Sequence, residues 1–209
     1  VLSDQFIGQS TAVVSEPQRC QLALPPAPAV EGDYLRYRLT ASGVSTLASP
    51  GDPGQRFTAD GLEHNEKGTP SARDEDHQQQ LAKRRDKLTG FDYGPDWGRL
   101  SGDGSLGLVC FGSASTAVSE AAHLLSVEGI ATRSVALRLL APLPVDDLVA
   151  ALAGCEQLLV VEQNHSAQLY HYLKGQIDLG LPLHSYARAG PVPLNAQAIA
   201  QRAREVMES

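Results

Sequence analysis

Residues 105–115 read SLGLVCFGSAS, and this stretch decides the fold. Leu106, Leu108, Val109, Cys110 and Phe111 make a short apolar run that Gly112 closes, and the small polar residues Ser113, Ser115 and Thr116 follow it. An apolar run of that length, ended by glycine and followed by helical spacing, predicts a strand buried on both faces that turns straight into a helix. The helix is expected over 113–128, with Val118, Ala121, Ala122 and Leu125 on one face and Gly129 as its stop.

Downstream the pattern repeats. Thr132–Leu140 and Gln157–Glu162 predict two more buried strands, and Leu183–Tyr186 a short last one. Between them, Pro142-Leu143-Pro144 ends one strand and starts a helix over 145–153, and a further helix covers 166–177. Asn195 caps a closing helix that runs to about Met207. Strands alternating with helices predict an α/β fold: an open parallel sheet with helices on both faces.

Upstream the reading is less regular. Val1-Leu2 looks like the end of a strand, with Ser3-Asp4 as a turn and a short helix around Phe6-Ile7. Ser15–Gly32 carries Pro17, Pro25, Pro26 and Pro28 and reads as an extended linker. Tyr34–Thr40 alternates bulky and basic residues and predicts a strand, which Arg56–His64 would join in a hairpin. Ser71-Ala72-Arg73-Asp74 has capping-box spacing before a helix over 74–88. That helix holds only Leu81 and Leu88 as large apolar residues, so it lies on the surface or bridges to another chain. Thr89–Gly104 reads as a second linker, with Trp97 its only large anchor. The division expected is 1–32 for the end of a preceding domain and a linker, 33–103 for a connecting segment, and 104–209 for the α/β domain.

Composition narrows the function classes. The 209 residues carry a net charge of -7, and Lys83-Arg84-Arg85 is flanked by Asp74, Glu75, Asp76 and Asp86, which argues against nucleic-acid and membrane-surface binding. No run approaches the roughly 18 apolar residues of a membrane span. Cys20, Cys110 and Cys155 are too scattered for a disulfide framework or a metal knuckle, as suits a soluble protein of a reducing, cytoplasmic compartment.

Two groups of residues are candidates for chemistry. Gly112 and Ser113, at a helix start, and Glu162 and Asn164, after the third strand of the α/β part, mark a possible ligand edge, because open α/β sheets bind ligands at the carboxyl ends of their strands. His165 beside Glu162 adds an acid–base pairing. The plainer reading is a tight turn at Gly112 and a helix cap made by Glu162 and Asn164. Glu63, His64, Asn65 and Gly68 form a polar loop that faces either a substrate channel or subunit, or simply solvent. No catalytic residue and no metal site are assigned.

Several strings occur in one order: VLSDQFIGQS, RYRLTASGVS followed by SPGDPG, LEHNEKG, LAKRRDKL, LVCFGSAS, APLP and LLVVEQNHSAQL. Together they resemble the alpha subunit of 2-oxoacid:ferredoxin oxidoreductases, of the 2-oxoglutarate synthase type, over nearly the whole chain. The resemblance implies the C-terminal portion of that subunit, with the α/β part transketolase C-terminal-like and mainly concerned with assembly. It implies oxidative decarboxylation of a 2-oxoacid to an acyl-CoA, with electrons passed to ferredoxin. The whole complex would use thiamine diphosphate, Mg2+, a [4Fe-4S] cluster and CoA, held largely by the beta subunit and the remainder of the alpha subunit. The family often has glycine where this chain has Ala167 and an aromatic where it has Leu143, which reads as a packing change at each position. The alternative is a stand-alone α/β module binding a nucleotide or small acid.

Overall fold

The computed structural model describes residues 5–19, 24–28 and 32–209; the strand end and turn read at Val1–Asp4, and Cys20, lie outside them. The chain divides into two compact units, one of Val1–Val13 with Tyr93–Ser209 and one of Val14–Asp92.

The first unit is an α/β layer structure. Its strands are β1 (Gly98–Ser101), β2 (Leu106–Phe111), β3 (Thr132–Leu137), β4 (Gln157–Glu162) and β5 (Leu183–Ala187), in the sheet order β1-β3-β2-β4-β5. Strands β3, β2, β4 and β5 run parallel, as the alternating pattern predicts. Strand β1 pairs with β3 antiparallel, so the sheet is mixed, and the linker expected over 89–104 contains a strand. Its sequence, Gly-Arg-Leu-Ser, has one large apolar residue, and Leu100 is exposed; an edge strand with so little burial leaves no periodic signal. Its anchor is Trp97, buried in the core, whose carbonyl accepts the N–H groups of Arg138 (2.8 Å) and Leu139 (3.0 Å).

The strand period of two sorts the core. Leu106, Leu108 and Cys110 of β2 and Leu159 and Val161 of β4 face one layer, made by α3 (Ala114–Val127) and α6 (Ala196–Met207). Val109, Leu158 and Val160 face the other, made by α4 (Val145–Ala151) and α5 (Gln168–Gln176). Each fully buried Leu or Val adds roughly 1.5–3 kcal/mol of transfer free energy. Gly107 is glycine because a Cβ there would stand 2.3 Å from Leu158 Cδ2; Gly104 because one would stand 2.1 Å from the Ala131 carbonyl oxygen.

The second unit departs from its expected hairpin. Tyr34–Thr40 and Arg56–His64 form turns and loops, and among the described residues of this unit the one bridge joins His64 to Pro70. The backbone groups that a ladder would have used are taken otherwise. The Tyr37 N–H donates to the Glu66 carbonyl (3.1 Å) and the Leu39 N–H to the Glu66 carboxylate (2.8 Å). The Tyr37 carbonyl accepts from Gln80 Nε2 (3.1 Å) and Lys83 Nζ (3.0 Å) of helix α2 (Asp74–Thr89). The capping box does not form either: Ser71 Oγ accepts from the Arg73 N–H (3.3 Å) and donates to Asp76 Oδ2 (2.6 Å), two residues beyond the expected Asp74.

Candidate functional site

Strand β2 sits between β3 and β4, so successive crossovers leave it in opposite directions. The carboxyl ends of β2 and β4 are therefore the switch point where open α/β sheets form a crevice. Gly112 and Ser113 follow β2 there, and Glu162, Gln163 and Asn164 come from the end of β4.

The strand period then splits the residues that the sequence groups together. Glu162 shares the face of Val160 and turns toward α5, fully buried. Its carboxylate accepts the N–H groups of Leu169 (Oε2, 2.7 Å) and Tyr170 (Oε1, 3.0 Å) and the side-chain amide of Asn164. Asn164 Oδ1 accepts the N–H groups of Ser166 (3.1 Å) and Gln168 (3.3 Å). The N–H groups of the first three residues of α5 are thus all satisfied by Glu162 and Asn164, and the Glu162 carboxylate also meets the positive end of the helix dipole. A phosphate does not fit where a carboxylate already sits. The plainer of the two readings, a helix cap, is the one the geometry carries, and His165 is exposed beside it.

Gln163 points the other way. Its Nε2 donates to the carbonyls of Gly190 (3.0 Å) and Val192 (2.9 Å), which fixes the loop before α6. With Ser113, Thr116 and Glu120 of the α3 side, and Phe6 of helix α1 (Gln5–Gln9), it lines a crevice of about 200 Å³. Ser113 belongs to this crevice and Gly112 is exposed at its turn, with φ +59° and open space around it. Gln163 is the residue the sequence reading missed; counting two from Val161 puts it on the α3–α6 face. A ligand pocket of ordinary size holds about 300–1,000 Å³, so this crevice alone is too small for a nucleotide cofactor.

In the second unit, each of the four loop residues has a partner within the fold. Glu63 accepts a two-pronged bond from Arg84 (2.6 and 3.3 Å) and lies 3.1 Å from His77 Nδ1. The Arg84 guanidinium, helped by His77 and the His64 N–H and opposed by burial, holds the Glu63 carboxyl down at about 2. Asn65 Oδ1 closes the turn by accepting from the N–H groups of Lys67 (3.0 Å) and Thr69 (3.1 Å). Gly68, at φ +86°, presses on Phe57 and Tyr37, where a Cβ would meet Phe57 Cβ at 3.3 Å. His64 is 4% exposed and stacks on Tyr37 with ring centroids 4.8 Å apart. The Asp60 carboxylate is 3.1 Å from its Nε2 but outside hydrogen-bond geometry.

The described cysteines do not fit an iron–sulfur cluster. Cys110 and Cys155 lie in opposite core layers, and burial pushes the Cys110 thiol up to about 12, far from the thiolate a cluster needs. Among the described residues no group of His, Cys, Asp and Glu has a metal-binding arrangement, and no helix is long and apolar enough to cross a membrane.

Residues 105–198, within the α/β unit, match the family described as pyruvate:ferredoxin oxidoreductase core domain II. The chain is similar to alpha subunits of 2-oxoacid:ferredoxin oxidoreductases. It is 33% identical, over 80% of its length, to "2-oxoacid:ferredoxin oxidoreductase 2, subunit alpha" of Aeropyrum pernix, and 25% identical, over 81%, to "2-oxoglutarate synthase subunit KorA" of Methanothermobacter marburgensis. It spans 27% of the first relative and 46% of the second. A solved 2-oxoglutarate:ferredoxin oxidoreductase from Magnetococcus marinus, with 2-oxoglutarate, coenzyme A and succinyl-CoA bound, matches 87% of this chain. The TM-score is 0.75 at 29% identity, and 32% of that chain is covered.

Proposed function

We propose that this chain is the C-terminal part of the alpha subunit of a thiamine diphosphate-dependent 2-oxoglutarate:ferredoxin oxidoreductase of the cytoplasm. In that enzyme 2-oxoglutarate is decarboxylated and joined to coenzyme A as succinyl-CoA, and the electrons pass to ferredoxin. The observation that carries the reading is the likeness in fold to the Magnetococcus marinus enzyme across 87% of the chain, which takes in most of both units. Thiamine diphosphate supplies the carbanion chemistry wherever it is bound.

The role of this piece is assembly. Three features support that: the α5 N-terminus is filled by Glu162 and Asn164, the switch-point crevice is small, and the buried thiols are unsuited to a cluster. Thiamine diphosphate, Mg2+ and the [4Fe-4S] cluster then belong to the beta subunit and the remainder of the alpha subunit. The Glu63–Gly68 loop serves as a subunit contact: the bonds of Glu63 and Asn65 hold it in one shape, and its neighbours Leu62 and Lys67 are exposed.

The test is to produce the complete alpha subunit with its beta subunit and follow ferredoxin reduction. Reduction that needs both 2-oxoglutarate and coenzyme A, with the chain of 209 residues inactive by itself, is the expected result. Turnover by this chain alone, or a complex silent toward every 2-oxoacid, overturns the proposal. Calorimetry on the chain should find no tight nucleotide; micromolar binding would favour the stand-alone module.

A further inference from the structure

The sheet ends at β5, and the bonds of that strand to β4 fix which of its backbone groups are left over. Pro182 accepts from the Leu158 N–H (3.0 Å), and the Arg188 N–H donates to the Glu162 carbonyl (3.2 Å). With the parallel register Leu158↔Leu183 to Glu162↔Ala187, this phase turns residues 182, 184, 186 and 188 toward β4. The N–H and C=O groups of Leu183, Ser185 and Ala187 therefore point outward, and among the described residues they take no backbone partner there.

This open row does not run along bare surface. Between it and helix α6 lies a groove of about 490 Å³, lined by Ser185, Ala187 and Arg188 on one side and by Gln201, Arg202 and Glu205 on the other. Arg202 is paired with Glu205 (3.1 Å). Arg188 is exposed, with its guanidinium 5.1 Å from the Tyr186 ring centroid, and among the described residues it has no carboxylate partner. The groove therefore holds an excess positive charge in a chain whose net charge is -7. Small anions would use the guanidinium but leave the backbone row unsatisfied. An extended polypeptide uses both.

We propose that the β5–α6 groove takes an extended segment of the partner subunit as a sixth strand, with an acidic side chain of that segment paired to Arg188. The inference rests on the reading of this chain as part of a multi-subunit oxidoreductase. Backbone pairing along Leu183, Ser185 and Ala187 provides the affinity, and the Arg188 charge sets which segment fits and in which register. A guanidinium held over the Tyr186 ring is already oriented, so less freedom is lost when the carboxylate arrives.

The experiment is deuterium exchange at single-residue resolution on the chain by itself and on the alpha–beta complex, the complex also being assayed for turnover. The Ser185 and Ala187 amides should slow by about tenfold or more on assembly, and Arg188→Glu in the complex should return them toward the free rate. The β4 amides Leu159–Val161 serve as the control for folding, and Arg188→Gln as the milder variant, with an intermediate effect. A complex that assembles and turns over while these two amides exchange as in the free chain overturns the groove proposal and leaves the assigned function standing. Protection that appears in the free chain as its concentration rises makes the occupant a second copy and overturns the choice of partner. If no complex forms, both readings fail together.

Discussion

Ala167 is the non-glycine residue with positive φ among the described residues, at φ +50° and ψ +50° immediately before α5. An L side chain in that region sets its Cβ against its own backbone, at a cost of about 1–2 kcal/mol. The neighbouring bonds hold it there: Glu162 grips the Leu169 and Tyr170 N–H groups, Asn164 grips those of Ser166 and Gln168, and the Ala167 carbonyl accepts from His171 (3.0 Å). The backbone at Ala167 is one that glycine adopts without strain, so the exchange of glycine for Ala167 that the resemblance implies bears on backbone conformation rather than on packing alone; Leu143 packs against the α4–α5 layer. Ala167→Gly should stabilise the α/β unit by roughly 1 kcal/mol, since relief of the αL strain outweighs the extra freedom of an unfolded glycine. Urea unfolding followed by Trp97 fluorescence measures this. An unchanged or lowered midpoint would show that Ala167 is not strained.

Helix α2 shows what an element with almost no apolar stripe rests on. Asp76, His77, Gln80, Lys83, Arg84 and Lys87 recur at intervals of three and four, so they share one face, and that face works through hydrogen bonds. Lys83 donates to the Tyr37 carbonyl and to Ser45 Oγ, and burial, with Arg36 nearby, lowers its affinity for a proton. Lys87 lies under Gly43, where a Cβ would stand 2.6 Å from Lys87 Cβ. The sequence makes the helix legible through its length and composition. It hides the partners, because they are the Tyr37 carbonyl, 43 and 46 residues from Gln80 and Lys83, and the side chains of Ser45 and Glu63 in separate loops, and no periodicity records such partners. The same blindness explains the hairpin expected at Tyr34–Thr40, where alternating side chains are real but the backbone is claimed by Glu66, Gln80 and Lys83. By contrast β2, β4 and the Asn195 cap, whose Oδ1 accepts from Ala198 (3.0 Å), are fixed by burial or by neighbours close in sequence and so could be read directly. The Glu63–Arg84 bond gives this helix a pH dependence. Glu63 is held near 2 in the fold against 4.5 ordinarily, so the unfolded chain binds the extra proton between those values. Its contribution is complete above 4.5 and is lost as pH falls toward 2. A carbon-13 NMR titration should place the Glu63 inflection near 2 and move it up toward 4.5 in Arg84→Ala; an inflection unaffected by that substitution would remove Arg84 as the cause.

The two units are built on different physics, and the difference is large. In the unit of Tyr93–Ser209 with the N-terminal residues, two apolar layers enclose the sheet, and leucines at 0% exposure stand on both sides of it. In the unit of Val14–Asp92, Ala48 is the one buried apolar residue among those described, while Ser45, His64 and Gln80 are buried with it. A unit held by hydrogen bonds and half-buried rings gains little from excluding water, because each such bond replaces one to solvent and nets about 1 kcal/mol. Urea competes directly for the peptide groups that α2 holds, whereas the sheet must expose its whole apolar interior to yield. Native-state hydrogen exchange on the chain in rising urea should therefore show the Gln80–Arg84 amides losing protection first, with a small dependence on urea. The Leu108–Cys110 and Leu159–Val161 amides should persist to the global transition with a steep one. If both sets lose protection together, the Val14–Asp92 unit has no separate stability.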